Sequence, residues 1–308
     1  MEYKIYKLTF DGGVHFGDNS LENSLSFFHA DTLFSALCTE AVKMGQGVLD
    51  DFVSRAMNGK LLLSDAFPFV GEKYFLPKPC LRVESKDDGN SVIKKKYKSL
   101  KYIDAELFST FINGEYPIDA HSDDLQDFGY FSEKTSAAIR GRDETLPYRV
   151  GSFWFNKGNG LYILIGTDDS ETDELIESLF EALSLTGIGG KRSEGFGRFS
   201  YYPGKKLSFM NETLTGTHKK YMTLSVSLPN DAELTDSIDN ASYSLIKRSG
   251  FVYSDNFSDT FMRKKDMFVF DSGSVFEKRF EGGIYDVSSG GSHPVYRYAK
   301  PIFMGVDV

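Results

Sequence analysis

A helix that runs into a glycine-rich loop and then into a strand constrains this chain more than any other feature. Leu175, Ile176, Leu179, Phe180 and Leu183 recur at helical period, and acidic residues fill the first turn. Ser170 or Thr172 is the expected cap. Gly187 ends the helix, and five glycines fall within Gly187-Ile188-Gly189-Gly190-Lys191-Arg192-Ser193-Glu194-Gly195-Phe196-Gly197. Phe199 to Tyr202 reads as the strand that follows. The loop fails both common nucleotide fingerprints. A P-loop requires Ser or Thr directly after Gly-Lys, where Arg192 stands. A dinucleotide fold needs its third glycine at Arg192 and opens a helix, whereas this loop closes one. A helix C-terminus also carries the wrong partial charge for phosphate. Attraction for a sugar-phosphate strand must therefore come from Lys191, Arg192, the Ser193 hydroxyl and freed backbone N–H groups. Gly189, Gly190, Gly195 and Gly197 would permit its close approach. The plainer alternative is a glycine-rich cap with solvated charges, although a simple cap needs one glycine rather than five.

The remaining composition bounds the setting. At 308 residues, 41% apolar and 26% charged, the chain is long enough for two domains and too apolar for wholesale disorder. No stretch approaches ~18 uninterrupted apolar residues, so no transmembrane helix and no membrane partner are expected. Met1 to Leu8 alternates like a strand and lacks the apolar run of a signal peptide. Cys38 and Cys80 cannot build a disulfide framework or a cysteine zinc site, and a reducing cytoplasm is the simplest setting. The net charge of −9 argues against nucleic acid only on average, because the charge is segregated. Lys94 to Lys101 carries five positive charges and no negative one, whereas Asp104 to Glu133 is acidic. The lysine run reads as a mobile basic arm.

Along the chain, Tyr3 to Phe10 predicts a strand with Tyr6, Leu8 and Phe10 on one face. Leu33, Phe34, Leu37, Cys38, Ala41 and Val42 predict a helix closed by Gly45. Leu49 to Met57 suggests a second helix, and Leu61–Leu63 and Tyr74–Leu76 suggest short strands. Residues from about 80 to 148 lack continuous apolar runs and read as an insertion without a core of its own. Val150 to Phe155 and Leu161 to Ile165 read as a hairpin around the turn Asn156 to Gly160. The order suits an antiparallel sheet with two helices on one face, a ferredoxin-like unit, over residues 1–205. A polar linker from Pro203 to Lys220 and a second α+β unit over 206–308 complete an α+β chain. Its strand candidates are Tyr221–Leu228, Met267–Phe270, Gly283–Val287 and Pro294–Tyr298.

At the glycine loop the chain resembles the RAMP superfamily of CRISPR-associated proteins, whose hallmark is such a loop between the second helix and the last strand of a ferredoxin-like domain. Phe16-Gly17, His29 to Leu37, Ile246-Lys247-Arg248-Ser249-Gly250-Phe251, and the tail motifs Gly273–Phe276, Gly283–Val287 and His293–Tyr298 resemble one branch. That branch is the guide-end-capping subunit of the type III-A (Csm) effector complex, and the resemblance spans essentially the whole chain. It implies two ferredoxin-like (RRM-like) domains with a thumb-like insertion, placed at about 80–148. It also implies a non-catalytic subunit that anchors the 5′ handle of the CRISPR RNA and bridges the large polymerase-like signalling subunit to the backbone RAMP subunits. Target RNA would lie near the thumb, and handle nucleotides would splay over the sheet and the loop.

His15, on the turn after the first strand, is a candidate RNA contact; catalysis would need a positioned partner, and the sequence sets none. A metal-independent endoribonuclease using His15 or His29 is the alternative function. Asp31 is expected to cap the first helix rather than pair with His29 around a metal. No catalytic residue, metal site or cofactor is expected. Arg140 and Arg142 would share one face of an extended segment and meet successive phosphates. Lys247 and Arg248 precede Ser249-Gly250 as similar candidates. Arg297, between Tyr296 and Tyr298, would sit on a strand face beside stacking aromatics.

Overall fold

The fold is a computed structural model that describes residues 1–18, 20–83, 91–138, 146–207, 209–254, 257 and 262–307. Strand β1 (Glu2–Phe10) leads through a short ribbon, β2 (Phe16–Asp18) and β3 (Ser20–Leu25), into helices α1 (Ala30–Met44) and α2 (Gln46–Met57). Strands β4 (Leu61–Leu63), β5 (Phe67–Val70) and β6 (Lys73–Pro77) follow, then helix α3 (Ser91–Ser99) and strand β7 (Tyr102–Asp104). The short helices α4 (Phe108–Ile112) and α5 (Ile118–His121) precede a long ribbon, β8 (Gly129–Ala138) and β9 (Leu146–Phe155). Strand β10 (Asn159–Thr167), helix α6 (Ser170–Thr186) and strand β11 (Phe199–Pro203) close the first half.

Its main sheet runs β11-β1-β10-β5-β6-β7, with β4 also on β10. β1 is antiparallel to both β10 and β11, and β10 is antiparallel to β4 and β5. Alternation on β1 sends Tyr6 and Leu8 against Leu179, Phe180 and Phe199, as the sequence predicts. Ile5 and Lys7 point the other way. Ile5 joins Phe67, Phe69 and Tyr162 in a second core, and Lys7 Nζ donates to the Gly71 carbonyl at 3.0 Å. Both faces of the central strands are therefore covered, and β10 is buried along its whole length. This corrects the expectation of nucleotides splayed over an open sheet: among the described residues no open face exists at its centre.

Helix α6 carries the predicted stripe, but its cap is Asp169, whose carboxylate accepts from Thr172 N at 2.8 Å, not Ser170 or Thr172. The segment from about 80 to 148 also departs from expectation. Tyr97, Ile103, Phe108, Phe111, Tyr116 and Ile118 are buried in the second core, so α3, β7, α4 and α5 belong to the body. Irregular spacing among charges hid these residues, and only in three dimensions do the rings cluster, Tyr97 stacking on Phe111 at 6.0 Å between centroids. The lysine run is thus a helix, not a mobile arm. What projects is the β8–β9 ribbon, paired from Gly129↔Phe155 to Ala138↔Leu146, with Tyr130 and Phe131 exposed. The predicted pairing of Val150–Phe155 with Leu161–Ile165 is overturned, because β9 pairs β8 and β10 pairs β1.

In the second half, the predicted linker contains helix α7 (Met210–Thr215), which buries Met210 and Leu214. Strand β12 (Lys220–Thr223), helix α8 (Leu234–Ser237) and strands β13 (Leu245–Arg248), β14 (Met267–Phe270), β15 (Val275–Phe276), β16 (Gly283–Asp286), β17 (Tyr296–Ala299) and β18 (Phe303–Val306) follow. They pair as three small antiparallel groups, β15-β12-β18, β13-β14 and β16-β17. Runs of two to four residues are too short to extend one continuous sheet. The halves share their cores: Val226, Val269 and Tyr298 pack with α1 and α6, and Met222, Ile302 and Met304 pack beneath β5 and β10.

Candidate nucleic-acid interface

The glycine loop leaves α6 with Gly187 N donating to the Leu183 carbonyl at 2.7 Å. Ile188 N donates to the Gly197 carbonyl at 2.9 Å and closes the neck. Gly190 N donates to the His15 carbonyl at 2.8 Å and Gly197 N to the Gly13 carbonyl at 3.0 Å, stitching the loop to the β1–β2 turn. A Cβ at Gly197 would lie 2.1 Å from the Ile188 carbonyl oxygen, and one at Gly190 would lie 2.6 Å from His15 Cδ2. One at Gly189 would lie 2.7 Å from the His15 carbonyl oxygen. These three glycines let the loop approach its own protein, which corrects the reading that they serve ligand approach. Gly195 differs: its φ is +88° and a Cβ there would meet open space.

The crest of the loop is Ser193-Glu194-Gly195, all exposed. Lys191 holds a left-handed conformation (φ 59°, ψ 24°), rare outside glycine, and opens a single 3₁₀ turn over Arg192–Glu194. Its Nζ lies 2.9 Å from Glu194 Oε1 and 5.1 Å from the Tyr148 ring centroid. The hydrogen bond to Glu194 holds the ammonium pKa above its usual value. The Arg192 guanidinium lies 4.7 Å from the Tyr253 ring centroid, and Tyr253 is 76% exposed. Each loop cation therefore sits over a tyrosine, one from β9 and one from the second half.

Beyond Tyr253 the surface continues with exposed Phe251, bridged to Arg263, and exposed Phe268, opposite Lys247 in the β13–β14 pair. Lys247 remains at the surface, its Nζ 2.7 Å from Asp266 Oδ2. Sequence reasoning missed Tyr148, Phe251, Tyr253, Arg263 and Phe268. The alternation Phe251-Val252-Tyr253, two residues after Lys247-Arg248, was the available signal.

Three candidates are corrected. Arg297 is not on an open strand face. It is buried, with Nη1 2.7 Å from Asp31 Oδ2. Arg248 joins it, its Nε and Nη2 at 2.9 and 2.7 Å from the two Asp31 oxygens. Both serve an ion pair inside the protein, and Asp31 is their counter-ion rather than the cap of α1. His15 is buried too, and its Nδ1 donates to the Gly151 carbonyl at 2.7 Å, which ties the loop's supporting turn to β9. Arg140 and Arg142 lie outside the described residues.

Among the described residues, two groupings bring His and Asp ligand atoms within 4.8 Å of one another, His29-Asp65-Asp271 and Asp104-His121-Asp124. In the first, Asp65 Oδ2 meets His29 Nδ1 at 2.8 Å, while Oδ1 accepts from Ala30 N at 2.8 Å and Val226 N at 3.0 Å. Asp65 thus satisfies the start of α1 and the segment after β12 in the second half together, an interlock that commits both oxygens. In the second, His121 Nδ1 lies 2.7 Å from Asp124 Oδ2. No helix among the described residues is long and apolar enough to cross a membrane.

Comparison with known proteins bears on this architecture. A family model described as the CRISPR Csm4 C-terminal domain matches residues 216–306. The curated CRISPR system Cms protein Csm4 of Mycobacterium tuberculosis (strain ATCC 25618 / H37Rv) is 39% identical over 308 residues, covering 99% of this chain and 98% of that protein. Its counterpart in Streptococcus thermophilus is 34% identical over 323 residues and covers 100% of both. Among solved structures, a chain of the Csm3-Csm4 subcomplex in the type III-A CRISPR-Cas interference complex superposes with a TM-score of 0.68 at 19% identity, covering 100% of both chains. A chain of the Csm1-Csm4 cassette in complex with cA4 gives a TM-score of 0.64 at 18% identity, covering 100% of this chain and 99% of that one. The backbone thus follows those folds, and full-length identity at this level means that the chain belongs to the Csm4 family, a subunit of the type III-A (Csm) CRISPR complex.

Proposed function

We propose that this subunit anchors the 5′ handle of the CRISPR RNA on the Gly187–Gly197 loop and the aromatic surface beside it, without cutting RNA. The observation that carries this reading is the pairing of each loop cation with a tyrosine ring around an exposed crest, Lys191 with Tyr148 and Arg192 with Tyr253. Cations meet phosphates, and exposed rings offer faces on which unpaired bases stack, so the combination suits a single strand rather than a duplex. The Ser193 hydroxyl adds a donor at the crest, and the open space beside Gly195 leaves room for a strand to approach. The non-catalytic reading is supported by His15, whose buried Nδ1 is committed to the Gly151 carbonyl, and by His29, whose buried Nδ1 is committed to Asp65.

The order β11-β1-β10-β5, with helices between β1 and β4 and between β10 and β11, supports a ferredoxin-like reading of the first half. The projecting β8–β9 ribbon takes the part of the thumb, near target RNA. Relatives solved together with Csm3 and with Csm1 support a bridging role between the backbone and the large signalling subunit. Two free cysteines suit a reducing cytoplasm. The test is Lys191→Ala with Arg192→Ala in the reconstituted complex. Guide RNA retention should fall, and its salt dependence should become shallower by roughly 0.7 per lost phosphate contact. Unchanged retention with an unchanged salt slope overturns the assignment.

A further inference from the structure

Helix α3 displays a second basic surface that the glycine loop does not explain. Lys94, Lys95, Lys98 and Lys101 are exposed, and none has a carboxylate partner among the described residues, whereas Lys96 pairs with Asp119 at 2.5 Å. The helix is held rigidly from behind. Tyr97 is buried on Phe111, and its hydroxyl donates to the Tyr116 carbonyl at 2.7 Å.

Helix electrostatics do not account for this placement. Cations are favourable in a last turn, but Lys78 Nζ already donates to the Tyr97 carbonyl at that end at 2.5 Å. Lys94 ends the first turn, where the dipole opposes positive charge and no acidic residue stands, and Lys95 at the midpoint gains nothing from the dipole. Lys94 and Lys98 are like charges at i,i+4 spacing, which destabilises a helix. An anionic ligand laid along the face reverses each of these penalties.

The geometry points to a second RNA-binding surface on α3, where Lys94, Lys95 and Lys98 hold the phosphate backbone of an RNA strand. The exposed lysines of this face carry no aromatic anchor between them, which suits phosphodiesters better than a protein interface, where buried aromatic anchors dominate affinity. The surface is separate from the loop. β11, which follows the loop, and β7, which follows α3, are the two ends of the sheet path, roughly 24 Å apart at the usual strand spacing. The inference shares with the proposed function only the premise that this subunit meets RNA.

The test uses the assembled complex with Lys94→Ala, Lys95→Ala and Lys98→Ala combined, a second variant with arginine at the same three positions, and Lys191→Ala/Arg192→Ala in parallel. Guide retention and affinity for a labelled complementary target RNA are measured from 50 to 200 mM salt, so that the two measurements tell guide from target. The alanine variant should weaken one of them about tenfold, with the salt slope shallower by roughly two, and the arginine variant should restore it. Unchanged affinity and slope for both RNAs overturn the inference, as does loss of a protein subunit with RNA slopes intact, which would assign the face to an acidic protein. Because the loop variant is read separately, failure at α3 leaves the loop assignment standing, and failure of the loop variant leaves α3 standing.

Discussion

Arg297 Nη1 lies 2.7 Å from Asp31 Oδ2 although 266 residues separate them. Arg248 grips the same carboxylate, so one buried acid on α1 joins two cations from the second half. Burial alone would raise the Asp31 pKa, but Arg248, Arg297 and His29 overcome it and hold the carboxyl well below the ordinary carboxylate range. Asp31→Asn leaves two guanidiniums in the interior without their counter-charge and should cost about 3–5 kcal/mol in chemical denaturation. With the folded pKa depressed, this contribution is fully present above the unfolded carboxyl pKa of about 3.9 and is lost as pH falls through the folded value. The variant's deficit should therefore narrow below about pH 4. A deficit that holds constant into strong acid would show that the ion pair is not its source.

The glycines of the loop should separate by what each faces. Gly197→Ala places a methyl 2.1 Å from the Ile188 carbonyl oxygen at φ 75°, and should destabilise by at least about 2 kcal/mol. Gly195→Ala, at φ 88° in open space, carries only the left-handed penalty of about 1 kcal/mol. Equal losses in thermal unfolding would contradict the packing described for the neck.

Tyr253 is exposed and contributes little to the core. Tyr253→Ala should change unfolding free energy by less than about 0.5 kcal/mol. It should weaken guide retention by about 1–3 kcal/mol if a base stacks on that ring, and Tyr253→Phe should keep most of the affinity. Full retention by the alanine variant would remove the ring from the RNA surface.

His15 gives the contrasting outcome. His15→Ala leaves the Gly151 carbonyl without its donor and should lower stability by about 1–3 kcal/mol. Purified wild-type protein incubated with labelled repeat RNA in EDTA should yield no discrete products. Cleavage that disappears with His15→Ala would instead establish the endoribonuclease alternative.

What the sequence made legible follows its periodicity. The stripe Ile176, Leu179, Phe180 and Leu183, and the alternation of Tyr6 and Leu8, are local patterns, so both elements are found where expected. Arg297 shows the limit. Alternation in Tyr296-Arg297-Tyr298 assigns it a strand face but says nothing of what covers that face, and Asp31 is too remote for any window to include. The same limit hid Tyr97: within a lysine run it reads as surface, and its packing on Phe111 and Tyr116 exists only after the chain folds back. A turn such as Asn156 to Gly160 signals a reversal without naming partners, and β9 accordingly pairs with the strand before it. At the loop, five glycines signalled tight backbone, but the tight contact is with His15 and Ile188 rather than with a ligand.

At the edge of the second half, pH acts with the opposite sign to Asp31. His218 Nδ1 lies 2.9 Å from Asp307 Oδ2, and Nε2 lies 3.1 Å from the Glu212 carbonyl oxygen, so both ring nitrogens face acceptors. The Asp307 contact first, and the carbonyl second, raise the imidazole pKa, with burial and then Arg279 opposing them. A raised folded pKa gives stability that is fully present below the unfolded value of about 6.5 and is lost as pH rises through the folded one. Solvent at the exposed Asp307 carboxylate keeps the effect small. His218→Gln cannot take the proton, so its melting temperature should trail wild type at pH 5.5 and approach it by pH 8.5, apart from a pH-independent packing loss against Gly305. Asp307→Asn should flatten the same difference. A wild-type advantage that stays constant across that range would mean the imidazole is neutral in this contact and that its ring, packed against Gly305, acts through shape alone.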